Sequence, residues 1–360
     1  MYKNEMTEEN KKPKKGRRIL LIILVILLLL IVGAVAALWI MSNVGRGAVL
    51  QRDEDLQISA PNLRELEVVL EDDGKTVTYD GKKYELNEHV TSILVMGVDR
   101  EEMYGEGDDL TGSRGQADCL FLLTWNLDNG EMKLVSISRD AMVDVNVYDV
   151  NGNFHSVENQ QLCLAYAYGD GQEASCENVV RSVERLLYGM PIQSYAAINM
   201  SAISDLNDAI GGVEVYIHDY GDKALAYDTF PPGTTVLLSG EEAELYVRSR
   251  NTDILDSNEI RLARQKQYLL GFIQKALQMT KQDLTVPITL YQVAMENMIT
   301  NIDLSKVTYL ATQVTNLNFT EENMMSLPGE NVQGEIYAEF HVDDQAVYEF
   351  VLDTFYTEVE

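Results

Sequence analysis

Apolar residues fall along this chain in three rhythms, and each predicts a different element. One run, Ile19 to Met41, is unbroken; at about 23 residues it has the length needed to cross a bilayer as a helix. It is too long for the apolar core of a cleaved leader, and its end at Leu38, Trp39 and Ile40 sets an indole where a membrane interface would lie. The pattern therefore predicts an uncleaved transmembrane helix over 19–41, behind a short tail of residues 1–18.

Downstream, period two takes over. Thr76 to Leu86 holds two alternating runs about Asp80 and Gly81, a hairpin signal. Ser92 to Val98, Cys119 to Trp125 and Met132 to Ser138 are apolar runs of strand length, and a turn-rich Asn126 to Gly130 joins the last two. Val213 to Ile217 alternates again, behind Gly211 and Gly212, which read as a helix C-cap. Spacings of three and four predict helices over Ser175 to Tyr188, Met200 to Ile210, Glu241 to Val247, Glu259 to Met279, Leu304 to Leu317 and Asp344 to Phe355. Strands interleaved with helices predict an α/β fold, a mixed central sheet flanked by helices in a sandwich. Residues 42–74, polar with scattered Leu56, Leu63 and Leu66, read as a stalk, and 75–356 as one domain.

Charge then fixes which side of the membrane the domain occupies. The tail carries seven Lys and Arg against three Glu, and basic residues stay on the cytoplasmic side of a span. The domain is thus expected outside the cell, at the end of a single-pass anchor in the cell membrane. With the tail at +4, the rest of the chain holds −33 of a total −29; such a field excludes nucleic acid as a partner. The three cysteines, Cys119, Cys163 and Cys176, are odd in number, so they cannot all pair. A bridge between Cys163 and Cys176 stays open. The four histidines, His89, His155, His218 and His341, lack zinc spacing, and no Ser-His-Asp or Cys-His set can be argued.

Candidate chemistry gathers at predicted strand ends. Asp99 ends the first long strand, Asp118 begins the next, and Arg139 with Asp140 follows the third. A carboxylate one residue before a buried strand is costly unless it pairs with an arginine or a metal, a nearby lysine being the alternative, and two carboxylates plus substrate phosphate oxygens are how magnesium is usually held. Arg248 and Arg250 would lie about 200° apart on a helix but on one side of an extended chain. The spacing predicts that the helix ends before Arg248 and that both guanidiniums enter one cleft. Arg261 and Arg264 share a helix face. Guanidinium forks suit phosphate oxygens; ion pairs with Asp253, Asp256 and Glu259 are the alternative.

Taken in order, Ile93 to Asp99, Gly115 to Asp118, Leu134 to Asp140, Leu164 to Gly169, Ile210 to Val215, Leu238 to Arg250 and Arg261 to Gln265 resemble the LytR-CpsA-Psr family of membrane-anchored cell-wall phosphotransferases. The resemblance implies transfer of a glycopolymer, such as teichoic acid or capsular polysaccharide, from a polyprenyl-pyrophosphate carrier in the membrane lipid to peptidoglycan. By it, Asp99 and Asp118 hold Mg2+, and Arg139, Arg248 and Arg250 clamp the pyrophosphate. Arg114, Gln116, Asp140, Arg261, Arg264 and Gln265 are expected along the substrate, and an apolar groove within the domain would take the lipid. The sequence departs from the family pattern in three places. Gln116 stands where an arginine is common, with Arg114 nearby; Ala141 replaces a threonine; and Ser257 falls where an aspartate is usual, leaving that role to Asp256. These departures motivate a second expectation, a non-catalytic module that binds polyprenyl-diphosphate-linked glycans.

Overall fold

The computed structural model describes residues 40–51, 57–61, 63, 67–100, 115–149, 151–199, 201–221, 223–251, 253, 257–314, 317–334 and 337–359. From the N-terminal side come α1 (residues 40–49), β1 (Val68–Glu71), β2 (Thr76–Tyr79), β3 (Lys82–Leu86), β4 (Val90–Val98), β5 (Ala117–Asn126) and β6 (Met132–Ile137). Next are β7 (Met142–Tyr148), β8 (Phe154–Gln161), α2 (Leu164–Ala167), α3 (Glu173–Leu186), β9 (Ser194–Asn199), α4 (Ser201–Ala209), β10 (Val213–Tyr216), β11 (Thr235–Leu238) and α5 (Gly240–Arg248). The chain closes with α6 (Ser257–Gln282), α7 (Val286–Ala294), β12 (Met298–Thr300), α8 (Leu304–Gln313), β13 (Met324–Ser326), β14 (Gly329–Gln333), β15 (Ala338–Val342), α9 (Asp344–Phe355) and β16 (Tyr356–Val359).

A six-stranded mixed sheet, in the order β12, β9, β4, β5, β6, β13, forms the centre. β5 is antiparallel to both β4 and β6, while β9 runs parallel to β4 and β13 parallel to β6. Because side chains alternate across a strand, the runs read as strands serve two cores. Leu94, Met96, Leu120 and Leu122 pack with Val179 and Val183 of α3 on one face, whereas Val95, Phe121 and Leu123 meet Leu269, Leu270 and Ile273 of α6 on the other. At about 25 cal/mol per Å2 of apolar surface removed from water, this double burial is the main stabilising force.

Parts of residues 42–74 depart from the stalk expectation. Val49 is buried and its carbonyl accepts from Thr91 Oγ1 at 2.8 Å. Ser59 N donates to Tyr188 O at 2.8 Å, and β1 pairs along β2. Ile58, Leu63, Val68 and Leu70 of this segment pack on the main core, while Leu56 and Leu66 lie outside the described residues. Among the described residues no helix is long and apolar enough to cross a membrane; 19–39 of the expected span, and the tail before it, lie outside them. Cys163 and Cys176 are both buried and unbridged.

Candidate functional site

One extra residue in a ladder aims the first acidic side chain. Gly97 of β4 pairs with Cys119 of β5, but the next residue, Val98, pairs with Ala117, so Asp118 is left unmatched as a bulge. Bulges bend a strand and re-aim its side chains. Gly97 permits this one: a Cβ there would stand 3.0 Å from Cys119 Cβ. Just past the bulge, Asp99 N donates to Gln116 O at 3.2 Å, which ties the two strand ends together.

Arg139 meets Asp118 from the end of β6. The turn at Ser138 to Ala141 closes with Ala141 N donating to Ser138 O at 3.1 Å, and Cys163 N donates to Arg139 O at 3.0 Å, so the backbone under the arginine is pinned. Its guanidinium donates to Asp118 Oδ1, to Gln116 Oε1 at 2.8 Å and to Cys163 Sγ at 3.4 Å, with Asp140 Oδ1 at 3.6 Å from Nε. Burial lifts the Asp118 carboxyl above its ordinary value of 3.8; Arg139 opposes the rise and the charge of Asp99 adds to it. A cation near Asp99 and Asp118 would relieve that repulsion. Among the described residues no group of three or more His, Cys, Asp or Glu is placed to hold a metal by itself.

The late half of the chain closes over this pair. Burial, followed by the like charge of Arg250, lowers the pKa of Arg261, with Asp118 partly restoring it. Asp140 lies in the combined fields of Arg139, Arg250 and Arg261, which oppose the rise that burial imposes on it. A cavity of about 380 Å3 is lined by Asp118, Arg139, Asp140, Arg261, Gln265 and Phe340. A second cavity of about 250 Å3, walled by Val95, Ile198, Leu206, Leu269 and Phe272, is almost wholly apolar. The two share Cys119, Phe121 and Gln265, so a charged space adjoins an apolar one. Gln265 marks the border: its amide donates to Val247 O at 3.2 Å, and its carbonyl accepts from Cys119 Sγ at 3.9 Å.

Three expectations change. α5 runs through Arg248 and stops at Ser249, whose backbone is extended, so only Arg250 leaves the helix. Arg248 is exposed and paired with Glu244 one turn earlier, at 3.2 Å, because four-residue spacing on a helix brings them together. Arg248 and Arg250 therefore do not enter one cleft side by side. Arg264, expected along the substrate, is 1 % exposed and donates to Ser249 O, holding up the segment that carries Arg250. Arg114 and Asp256 lie outside the described residues.

Two contributors escaped the sequence reading. Cys163 reaches Arg139 from the start of α2, and the β14–β15 hairpin delivers Phe340, whose N–H donates to Asp140 O at 2.9 Å. Cys163 carried no signal, since a buried thiol has no motif of its own. The alternation of Phe340 and Val342 was a faint one.

Known proteins settle the kinship. The model of the LytR_cpsA_psr family matches residues 64–352. The chain belongs to that family. Among curated members of the LytR-CpsA-Psr family, the polyisoprenyl-teichoic acid–peptidoglycan teichoic acid transferase TagU of Bacillus cereus (strain AH820) is 32% identical over 197 residues, 54% of this chain and 55% of that protein. TagU of Enterococcus faecalis (strain ATCC 700802 / V583) is 31% identical over 191 residues, 53% of this chain and 55% of that one. The chain thus spans about half the length of the curated relatives it matches. Solved structures share the fold: TagT bound to LI-WTA has a TM-score of 0.55 at 23% identity, over 74% of this chain and 89% of that one. TagV of B. subtilis has 0.55 at 24%, over 75% and 96%. The mixed sheet with helices on both faces is the LytR-CpsA-Psr fold.

Proposed function

We propose that this protein is a phosphotransferase of cell-wall biogenesis. It takes a glycopolymer from a polyprenyl-pyrophosphate carrier and joins it to peptidoglycan, working outside the cell from a single-pass membrane anchor over 19–41. The observation that carries the reading is a pair of neighbouring cavities, one lined by Arg139 and Arg261 with the charge of Arg250 acting on it, the other apolar. A pyrophosphate flanked by a glycan and a lipid has this division of character. The names of the TagU relatives point to the same chemistry.

In that reaction an acceptor hydroxyl attacks the phosphorus bearing the glycan, the bond to the second phosphate breaks, and polyprenyl phosphate departs. Negative charge grows on the departing oxygens, and preorganised guanidiniums are the side chains best suited to meet it. Arg139, already locked by Asp118, Gln116 and Cys163, needs no reorganisation. Arg250 and Arg261 add charge from the other side, and Asp256 is assigned the acceptor's proton. Asp99 and Asp118 would hold Mg2+, which when bound supplies neutralising charge to the phosphate oxygens.

The test uses the full chain in lipid nanodiscs with a synthetic polyprenyl-pyrophosphate glycan, Mg2+ and peptidoglycan. The expected product is wall-linked glycan with equimolar polyprenyl phosphate. Tight binding of the lipid substrate without product at any Mg2+ concentration would instead identify a binding module, the role that Gln116 in place of an arginine favours.

A further inference from the structure

A cavity of about 790 Å3 lies on the other face of the central sheet. Its size is within the roughly 300–1,000 Å3 of ligand sites. β9 separates the two faces: Ile198 borders the apolar cavity beside the arginines, whereas Tyr195, of opposite parity, enters this one. Ala48 of α1, Glu177 and Arg181 of α3, and Tyr148 of β7 form its walls.

Its floor is polar where a core would be apolar. Asn146, Asn178, Glu184, Gln193 and Lys306 all line it and are all buried. Burying such groups is unfavourable unless each is hydrogen-bonded, and most are: Glu184 Oε1 accepts from Ile192 N at 2.9 Å, and Lys306 Nζ donates to Ser194 Oγ at 3.1 Å and to the carbonyls of Asn301 at 3.4 Å and Gln193 at 3.5 Å. Asn178 is the exception. Its amide nitrogen donates to Ala165 O at 2.7 Å and Asn146 O at 3.0 Å, but its carbonyl oxygen has no donor in the protein.

We infer that this cleft binds an oligosaccharide. Amides and carboxylates match the dense hydroxyls of a sugar, and the rings of Tyr148 and Tyr168 offer flat apolar surface to its C–H faces. A phosphate ligand does not suit it, because Asp170, Glu177 and Glu184 outnumber Arg181 once Lys306 is engaged. An apolar ligand would strip water from the floor without replacing its hydrogen bonds. The transfer reading is needed only to name the occupant as a glycan strand of the wall, gripped on the face opposite the arginines.

The test is calorimetric titration of the full chain in detergent with a β-1,4-linked N-acetylglucosamine tetrasaccharide. Saturable binding is expected, weakened at least about tenfold, or 1.4 kcal/mol, by Ala174→Trp, which fills the cleft from an exposed position on α3, and unchanged by Arg139→Ala. If Ala174→Trp melts early, Glu177→Ala replaces it with the same expectation. Absence of binding at about 10 mM sugar, full binding in the cleft variants, or loss of binding in Arg139→Ala each overturns the proposal. Sugar binding without any lipid-dependent transfer leaves this cleft standing and removes the transferase reading alone.

Discussion

The two halves of the arginine cavity are built to different tolerances. On the sheet side, Arg139 has its backbone pinned by a turn and by Cys163, and its guanidinium shared among Asp118, Gln116 and Cys163. On the helix side, Arg250 stands in the segment beyond α5, supported from below by Arg264. A group held by strand ends and several bonds is positioned before substrate arrives, while one on a segment between helices can follow it. Nearby charges of one sign therefore need not have one job.

The largest effect should come from the fixed half. Arg139→Ala is expected to lower transfer about 10³-fold, and Arg139→Lys to recover little, because an ammonium cannot fork to Asp118 and Gln116 together; near-complete rescue by lysine would show that charge alone is at work. Arg250→Ala should cost roughly ten- to a hundredfold, and a loss equal to that of Arg139→Ala would erase the distinction between the halves. Gly97→Val should destabilise the fold by about 1–3 kcal/mol in denaturant titrations by crowding Cys119 at the bulge, with transfer falling further than the lost stability explains.

Titration sharpens the same contrast. If Asp118 must be ionised to serve, transfer will fade on the acid side at a pH above the ordinary 3.8, and Asp118→Asn will abolish that limb along with most of the activity. The folded state also holds this proton more tightly than the unfolded chain. The carboxyl's contribution to stability is therefore present below the ordinary value and lost as pH rises through the shifted one, and Asp118→Asn should remove that dependence. The smallest effect is assigned to Arg248→Ala, no more than about threefold in transfer, since an exposed pair with Glu244 is worth little; a loss matching Arg250→Ala would mean that Arg248 leaves its partner to join the substrate.

Half of the central sheet was legible because β4, β5 and β6 are apolar runs bounded by turns, and α9 was legible end to end because Asp343 caps it and a buried stripe follows. β8 was not: from Phe154 to Gln161 it is largely exposed, so no core face wrote a period into it. β9 hides for the opposite reason, as its alanines fill a tightly packed centre without marking alternation. In the site, Asp118 and Arg139 were readable as charges at strand ends. Whether Arg248 belonged with Arg250 was not readable, because it turned on a single residue of helix length.

The unmatched residue on β5 has a hereditary consequence. Deleting Asp118 would restore an unbroken ladder between β4 and β5 while removing the carboxylate that fastens Arg139. On the proposed reading, a loss of one codon would then leave a sheet at least as regular as before and a protein expected not to transfer, a change that a thermal melt would pass as healthy. By the same reading this chain could lose its chemistry and keep its shape, and a count of residues across that ladder is where the loss would be seen.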